Sequence, residues 1–323
     1  MPIVIEIIFV IVFILFQNEK NNYHISILFF CLSLFAQQRI ISGYVINESK
    51  ERIPYASVFI SNKPNIGTFT NVQGFFSLKV DISDTLLVSH IGYESIKIAV
   101  SDFIGAVFLK ESMFQLKEIT VSTNKKTRYI VQKLGAYWEK PDINWFLRGR
   151  DNYALLIPNS IKQEGFIKNL YFKIKHERDK KSKKYKNSQI QLRVRIYAGI
   201  DYQNSSQIDL LRENIIVIMK QSSTDINISV EKYKIRFPKE GVIIGIDIMG
   251  YIDKNNKLIE GSIEECRKNI YIRQTNKIER ENSFYKNFNT TKWYPISKFI
   301  KPQTNEMIIM NVMFGAEVIF EEY

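Results

Sequence analysis

The 323-residue chain reads as all-β, two β-sandwiches in series behind an apolar amino-terminal segment. Three observations carry this reading. From Arg39 onward, apolar residues recur mainly with period 2, the repeat of a strand. Turn residues interrupt the first part of that pattern about every 8–12 positions, the spacing of antiparallel sandwiches. The length suits about two domains of ~100–200 residues, and 45% hydrophobic against 24% charged residues is enough to bury their cores and exclude wholesale disorder.

Residues 1–36 stand apart from the strands. An apolar run, Ile3 to Phe16, is broken by Glu6 and followed by the polar stretch Gln17 to His24; a second apolar run extends from Ile25 to Ala36. Neither reaches the ~18–20 residues of a membrane-spanning helix. The second has the length of a signal-peptide core, with Lys20 upstream and Ser33-Leu34-Phe35-Ala36 as a small-residue exit before Gln37. Residues 1–36 are therefore expected to be a signal peptide, with an uncleaved anchor as the rival reading. Cys31 is a poor acylation site because Phe29 and Phe30 precede it where small residues are expected. After cleavage Cys266 would be the sole thiol, leaving no disulfide framework and no cysteine zinc site.

The first sandwich is expected over residues 38–122. Ile41, Gly43 and Val45 alternate with Ser42, Tyr44 and Ile46; Ala56, Val58 and Ile60 share one face. Thr68 and Thr70 lead into the turn Asn71-Val72-Gln73-Gly74, whose glycine tolerates positive φ, and Phe76, Leu78 and Val80 return. Leu86 and Val88, then Ile96, Ile98 and Val100, then Val107 and Leu109, and finally Ile119 and Val121 supply the remaining strands, about seven in all.

Several of these segments together resemble the carboxypeptidase-regulatory-like domain, in the version found at the amino termini of many Gram-negative outer-membrane receptors and envelope proteins. The matching elements are Gly43, Ile53-Pro54-Tyr55-Ala56-Ser57-Val58, the Gly67-Thr68…Asn71…Gly74-Phe75-Phe76 hairpin, Ile91-Gly92-Tyr93 and the exit Leu116-Lys117-Glu118-Ile119-Thr120-Val121. The resemblance implies a seven-stranded transthyretin-like sandwich that carries no catalytic residues and works as a structural or interaction module. Cleavage after Ala36 would send the chain, from Gln37 onward, to the periplasm, the outer membrane or the cell exterior. A receptor barrel is not expected: 22 strands of ~10 residues need ~220 residues before any plug, and 201 follow Ser122.

Residues 123–144 are lysine-rich and read as a linker, with a short helix expected near Ile130 to Trp138 before Pro141. Residues 145–323 read as a second, jelly-roll-like β-sandwich of about eight strands. Its segments are Tyr153–Ile157, Phe166–Ile174, Ile190–Ile196, Ile215–Met219, Ile226–Val230, Val242–Ile252, Ile270–Ile272 and Met307–Phe320. In the third, Ile190, Leu192, Val194 and Ile196 alternate with Gln191, Arg193, Arg195 and Tyr197; Asp253-Lys254-Asn255-Asn256 is a turn by composition. Residues ~145–252 more weakly resemble a carboxy-terminal domain often joined to this module in envelope proteins, and also galactose-binding-type jelly rolls.

The charge is unevenly spread. Residues 1–36 carry −1, residues 37–122 are neutral and residues 123–323 carry +13. The excess is densest from Lys173 to Lys186, where eight basic residues, among them Lys180, Lys181, Lys183, Lys184 and Lys186, face only Glu177 and Asp179. This run reads as a solvated loop or as a patch for an anionic surface such as lipopolysaccharide. Nucleic acid is not expected as a partner, since no recognition motif accompanies the charge.

The chain has no glycine-rich phosphate loop and no Gly-x-Ser-x-Gly elbow, and no cofactor or metal is expected. His90 has Glu94 at i+4, but the spacing bends through Gly92, and His90 and His176 both read as surface residues. The paired carboxylates Glu264-Glu265 and Glu321-Glu322 would point to opposite faces of a strand. A hydrolase would need two carboxylates convergent in one cleft. The aromatic residues offer a binding site instead: Trp145, Trp293 and Tyr294 are candidates for a sugar-stacking platform if exposed, and ordinary core residues if not. The expected function is a non-catalytic binding module for an envelope glycan, or an assembly accessory with a protein partner.

Overall fold

A computed structural model describes residues 39–112, 128–146, 151–177, 188–199, 209–255, 258–259, 270–287, 292–299 and 309–322. The first sandwich contains β1 (Arg39–Asn47), β2 (Ser57–Ile60), β3 (Lys63–Phe69), β4 (Phe75–Val80), β5 (Thr85–Ser89), β6 (Ile96–Ala99) and β7 (Ala106–Leu109). One sheet runs β4-β1-β7 and the other β3-β2-β5-β6, with β1 and β7 parallel and the remaining pairs antiparallel. The alternation in the sequence becomes the core: Ile41, Val45, Val58, Ile60, Phe76, Leu78, Leu86, Val88, Val107 and Leu109 meet between the two sheets. Gly74 closes the β3–β4 connection at φ 69°, as its turn requires. Ile119 and Val121, the Leu116–Val121 exit, the 1–36 segment and most of the Lys173–Lys186 run, including Lys180, Lys181, Lys183, Lys184 and Lys186, lie outside the described residues.

The second unit is larger than the sequence suggests. It contains β8 (Arg128–Gly135), β9 (Ile143–Phe146), β10 (Asp151–Pro158), β11 (Gly165–His176), β12 (Gln189–Ala198), β13 (Ile215–Met219) and β14 (Thr224–Ser229). It continues with β15 (Arg236–Phe237), β16 (Gly241–Ile252), β17 (Ile270–Thr275), β18 (Ser283–Asn287), β19 (Tyr294–Pro295), β20 (Asn311–Val312) and β21 (Phe314–Glu322). A six-stranded sheet runs β13-β12-β16-β10-β18-β19. An eight-stranded sheet runs β20-β17-β11-β21-β8, with β14 and β15 also on β11 and β9 on β17. The fourteen described strands replace the eight expected, mainly because several are short. Between the sheets lies one apolar core, including Leu155, Ile157, Leu170, Phe172, Leu192, Val194, Ile244, Ile246, Phe314 and Val318.

Two expectations are corrected here. Residues 128–135 are a strand, not part of a linker or a helix: β8 pairs with β21 from Gly135↔Gly315 to Arg128↔Glu322. It lies at the edge of the described sheet and is exposed on both faces from Arg128 to Val131, so that part of its sequence shows no inside–outside alternation. His176 is fully buried, because β11 extends to it and Phe172, Ile174 and His176 fall on one inward face. Burial also holds the His176 pKa below its ordinary value.

Candidate functional site

The strand β16 is buried at all twelve positions, Gly241 to Ile252. One of its faces meets the eight-stranded sheet. The other is the outer face of the six-stranded sheet, which would ordinarily meet water, and part of it is covered by the first sandwich. Phe59 and Phe69 pack on Met249, with Tyr55, Ile216 and Leu258 beside them. Ile91 joins the core of the second unit. This double coverage explains why GVIIGIDIMGYI reads as a nearly continuous apolar run.

Asp247 is the single charge in that run, and it lies in a polar row across four strands. The registers place Arg193 of β12 opposite Asp247, Asp247 opposite Asn152 of β10, and Asn152 opposite Lys286 of β18. Arg193 is 0% exposed. Its Nε and Nη2 reach Asp247 Oδ2 at 2.7 and 2.6 Å. Nη1 donates to the Tyr55 carbonyl and Nη2 to Ser57 Oγ, both at 3.1 Å, and the guanidinium carbon lies 5.1 Å from the Phe69 ring centroid. A planar guanidinium with donors in several directions is suited to this task, which an ammonium could not perform.

The backbone presents those acceptors at some conformational cost. Tyr55 has φ 60°, unfavourable for a residue with a Cβ. It is held there because its N–H donates to the Thr70 carbonyl, while the buried Thr70 hydroxyl bonds the Ile53 carbonyl and the Ala56 N–H. A second polar contact joins the two units. The Asn214 amide approaches His90 Nε2 at 2.7 Å while His90 Nδ1 faces the Ile91 carbonyl at 2.6 Å, an arrangement satisfied by the neutral Nδ1–H tautomer. His90 is thus an interface residue and not a surface one; burial, aided by Arg193 and Arg195, lowers its pKa to about 4.

Beyond the covered part, the same outer face carries Arg195, Tyr197, Asp209, Lys286 and Trp293. Arg195 Nε donates to Asp247 Oδ2 at 3.0 Å and Nη1 to Asp209 Oδ2 at 2.9 Å. Asn152 Nδ2 donates to Asp247 Oδ1 and, at 3.5 Å, reaches the Tyr197 hydroxyl; Asn152 Oδ1 is buried and has no partner among the described residues. The Lys286 ammonium lies 4.4 Å from the Trp293 ring centroid and 5.0 Å from that of Tyr197. Burial lowers its pKa to about 8, opposed by the attraction of Asp247.

Asp209 and Asp247 are two carboxylates bridged by one guanidinium beside aromatic rings, the kind of pair a hydrolase needs. Burial raises the Asp209 pKa; burial alone would also raise that of Asp247, but Arg193 and Arg195 outweigh it and hold it low. Asp247 is nevertheless 0% exposed, with Oδ2 occupied by both arginines and Oδ1 by Asn152. Its oxygens are sealed away from any substrate, so the pair serves as a structural clamp.

The three aromatic candidates do not share an exposed groove. Trp293 is 2% exposed and packs with Ala154, Leu156, Tyr197, Ile243 and Phe284. Trp145 lies on β9, in the other sheet, half-buried against the main core. Tyr294 is half-buried on β19, its ring 5.8 Å from that of Tyr285. The shared stacking platform expected from sequence is thereby corrected: Trp293 is covered and has no face left for a sugar, and Trp145 and Tyr294 lie in different sheets. At the described end of the basic run, Lys175 pairs with Glu177, and Lys173 lies over the Tyr137 ring at 5.0 Å. Among the described residues no group of three or more His, Cys, Asp or Glu side chains could hold a metal ion. No helix among them is long and apolar enough to cross a membrane, which says nothing of strand-built membrane proteins.

Sequence reasoning missed Lys286 and the row it ends. The available signals were the Arg193/Arg195/Tyr197 alternation and the lone Asp247 in an apolar strand. Nothing in sequence joins them to Lys286, which stands on a strand without a clear apolar repeat.

Comparison with known proteins bears on the first unit. No curated protein matches the chain. Among solved structures, the cysteine protease and lectin-like domains of Cwp84, a surface-layer-associated protein of Clostridium difficile, align at 13% identity with TM-score 0.34. That alignment covers 86% of this chain but spans only 58% of the other. The T13 particle of the virus IBDV aligns at 9% identity over 89% of this chain and 75% of that one, with TM-score 0.21. Neither likeness is close enough to support an argument. Residues 41–121, in contrast, match the CarboxypepD_reg-like domain family. Contacts with the second sandwich come from Tyr55 and Ser57 in the Ile53–Val58 element, from Phe69 next to Gly67-Thr68, and from His90 and Ile91 at the Ile91-Gly92-Tyr93 element. The amino-terminal sandwich is a carboxypeptidase-regulatory-like domain, a fold without catalytic residues of its own, docked on the outer face of a larger β-sandwich.

Proposed function

We propose that the protein is an exported, non-catalytic binding module of the cell envelope, in which the first domain buttresses a larger sandwich that carries the site for an envelope glycan. The observation that carries this reading is the Arg193 clamp. A buried guanidinium bonded to Asp247 on one side and to Tyr55 and Ser57 on the other fixes the two sandwiches against each other. Fixed geometry suits presentation of a binding surface. The sealing of Asp247 argues against catalysis by the Asp209–Asp247 pair.

The test is thermal denaturation of the purified protein with envelope polysaccharides and lipopolysaccharide at low and high salt. A ligand at 100 times its dissociation constant adds ~2.7 kcal/mol, a clear rise in Tm. A rise that persists at high salt supports the glycan reading. One that disappears with salt reassigns binding to the Lys173–Lys186 run as an anionic-surface patch. No rise with any polymer removes the glycan reading.

A second reading, an assembly accessory with a protein partner, draws on β8. This strand exposes Tyr129, Ile130 and Val131 beside a backbone edge that pairs with no described strand, suited to the addition of an extended strand from a partner. Val131→Pro, which removes a backbone donor from β8, would abolish such an association while leaving polysaccharide binding intact.

A further inference from the structure

Among the described residues, the outer-face row is not electrically balanced. Arg193, Arg195 and Lys286 face two carboxylates, Asp209 and Asp247, and both carboxylates are already engaged by the arginines. Lys286 forms no hydrogen bond or ion pair with any described residue; its contacts are the two aromatic rings. Arg195 uses Nε and Nη1, leaving Nη2 without a described acceptor. The Tyr197 hydroxyl accepts from Asn152, and its own proton meets no described acceptor. On the same face, the strand residues opposite Arg195 are Gly245 and, next to it, Ala154, with the Asn152 side chain over the first and the Tyr197, Phe284 and Trp293 rings packed around the second.

A site that combines half-buried Lys286 and Arg195 with buried Tyr197, and that has unused donors and one surplus positive charge among the described residues, is complementary to a single negative charge presented on acceptor oxygens. We propose that Lys286, with Arg195 and Tyr197, forms a binding site for the carboxylate of a small acidic ligand. A carboxylate is a monoanion, which cancels the surplus charge, and it accepts hydrogen bonds on two oxygens without offering any donor to the arginine side. A phosphate dianion would leave a net negative charge in the same half-buried place. In a binding module for an envelope glycan the ligand chemistry is that of a uronic acid, and to that extent the assignment rests on the reading above.

The experiment is a titration of intrinsic tryptophan fluorescence with sodium glucuronate at constant ionic strength, with glucose and inorganic phosphate as parallel arms. Trp293 reports directly, since its ring touches the Lys286 ammonium. Expected is a saturable change with glucuronate, none with glucose, and a weaker response to phosphate. Lys286→Met should weaken the glucuronate response about tenfold or more, the loss of a charge-assisted hydrogen bond. A second measurement needs no variant: mass-spectrometric mapping of lysine acetylation in the wild-type protein, where glucuronate should protect Lys286. Absence of both saturation and protection overturns the carboxylate site. An equal or stronger effect of phosphate overturns the ligand class. Polysaccharide binding that survives Lys286→Met leaves the binding-module reading standing while this site falls; glucuronate protection without any polymer binding does the reverse.

Discussion

Arg193 Nη2 of the second sandwich donates to Ser57 Oγ of the first at 3.1 Å, in a place where the arginine has no exposed surface. The same nitrogen lies 2.6 Å from Asp247, so a single group holds buried residues of both units. Removing one partner of such a buried pair costs far more than the pair itself contributes, because the remaining charge is stranded.

Arg193→Met is therefore expected to destabilise the protein by about 3–5 kcal/mol. It should also separate a single unfolding transition into two, as the sandwiches lose their common clamp. Arg193→Lys should not restore stability, since one ammonium cannot span Asp247, the Tyr55 carbonyl and Ser57. Urea denaturation followed by fluorescence and circular dichroism checks both statements.

Acid should loosen the same interface through His90. Its folded pKa, about 4, lies below the ordinary 6.5, so the unfolded chain binds more protons between those values. The contribution of His90 is complete above pH ~6.5, declines as pH falls, and is lost near pH 4, by up to about 3 kcal/mol. Buried His176 adds to the loss in the same direction. Midpoints of urea denaturation between pH 4 and 7 should therefore fall steeply in the wild type and less steeply in His90→Gln.

Gly43 permits a close backbone approach in the first sandwich. A Cβ at this position would lie 2.2 Å from the Gly105 carbonyl oxygen and 2.6 Å from the Phe103 ring. Gly43→Ala must push β1 away from the segment leading into β7, with an expected loss of about 1–3 kcal/mol. Thermal denaturation of the variant measures it.

Trp293→Ala should cost about 3–5 kcal/mol, the penalty of a large cavity. An exposed tryptophan would cost within about 0.5 kcal/mol. The denaturation midpoint of this variant thus separates a core role from a platform role.

Much of the first domain was legible because each strand buries one face only. Val58, Leu78 and Val88 reach the core just as their alternation implies. The glycine turn at Gly74 is equally local in origin. Strands that are buried on both faces or on neither were harder to read: β16 shows an unbroken apolar run, and β8 and β18 show no repeat that marks an inward face. Exposure of an aromatic side chain is likewise not a local property. Trp293 sits in a stretch with loop-like composition, yet Ala154, Leu156, Ile243 and Phe284 from three strands bury it.

By itself the sequence determined the all-β class, the carboxypeptidase-regulatory-like character of the first domain and the faces of its strands, since these follow from local periodicity and turn chemistry. Only the tertiary structure decided that the first domain covers the second, that Arg193 is a clamp, and that Lys286 stands at the end of a row with Asn152 and Asp247. Those relationships depend on strand pairings between residues tens of positions apart, and on what lies above a sheet, which no pattern along one strand encodes.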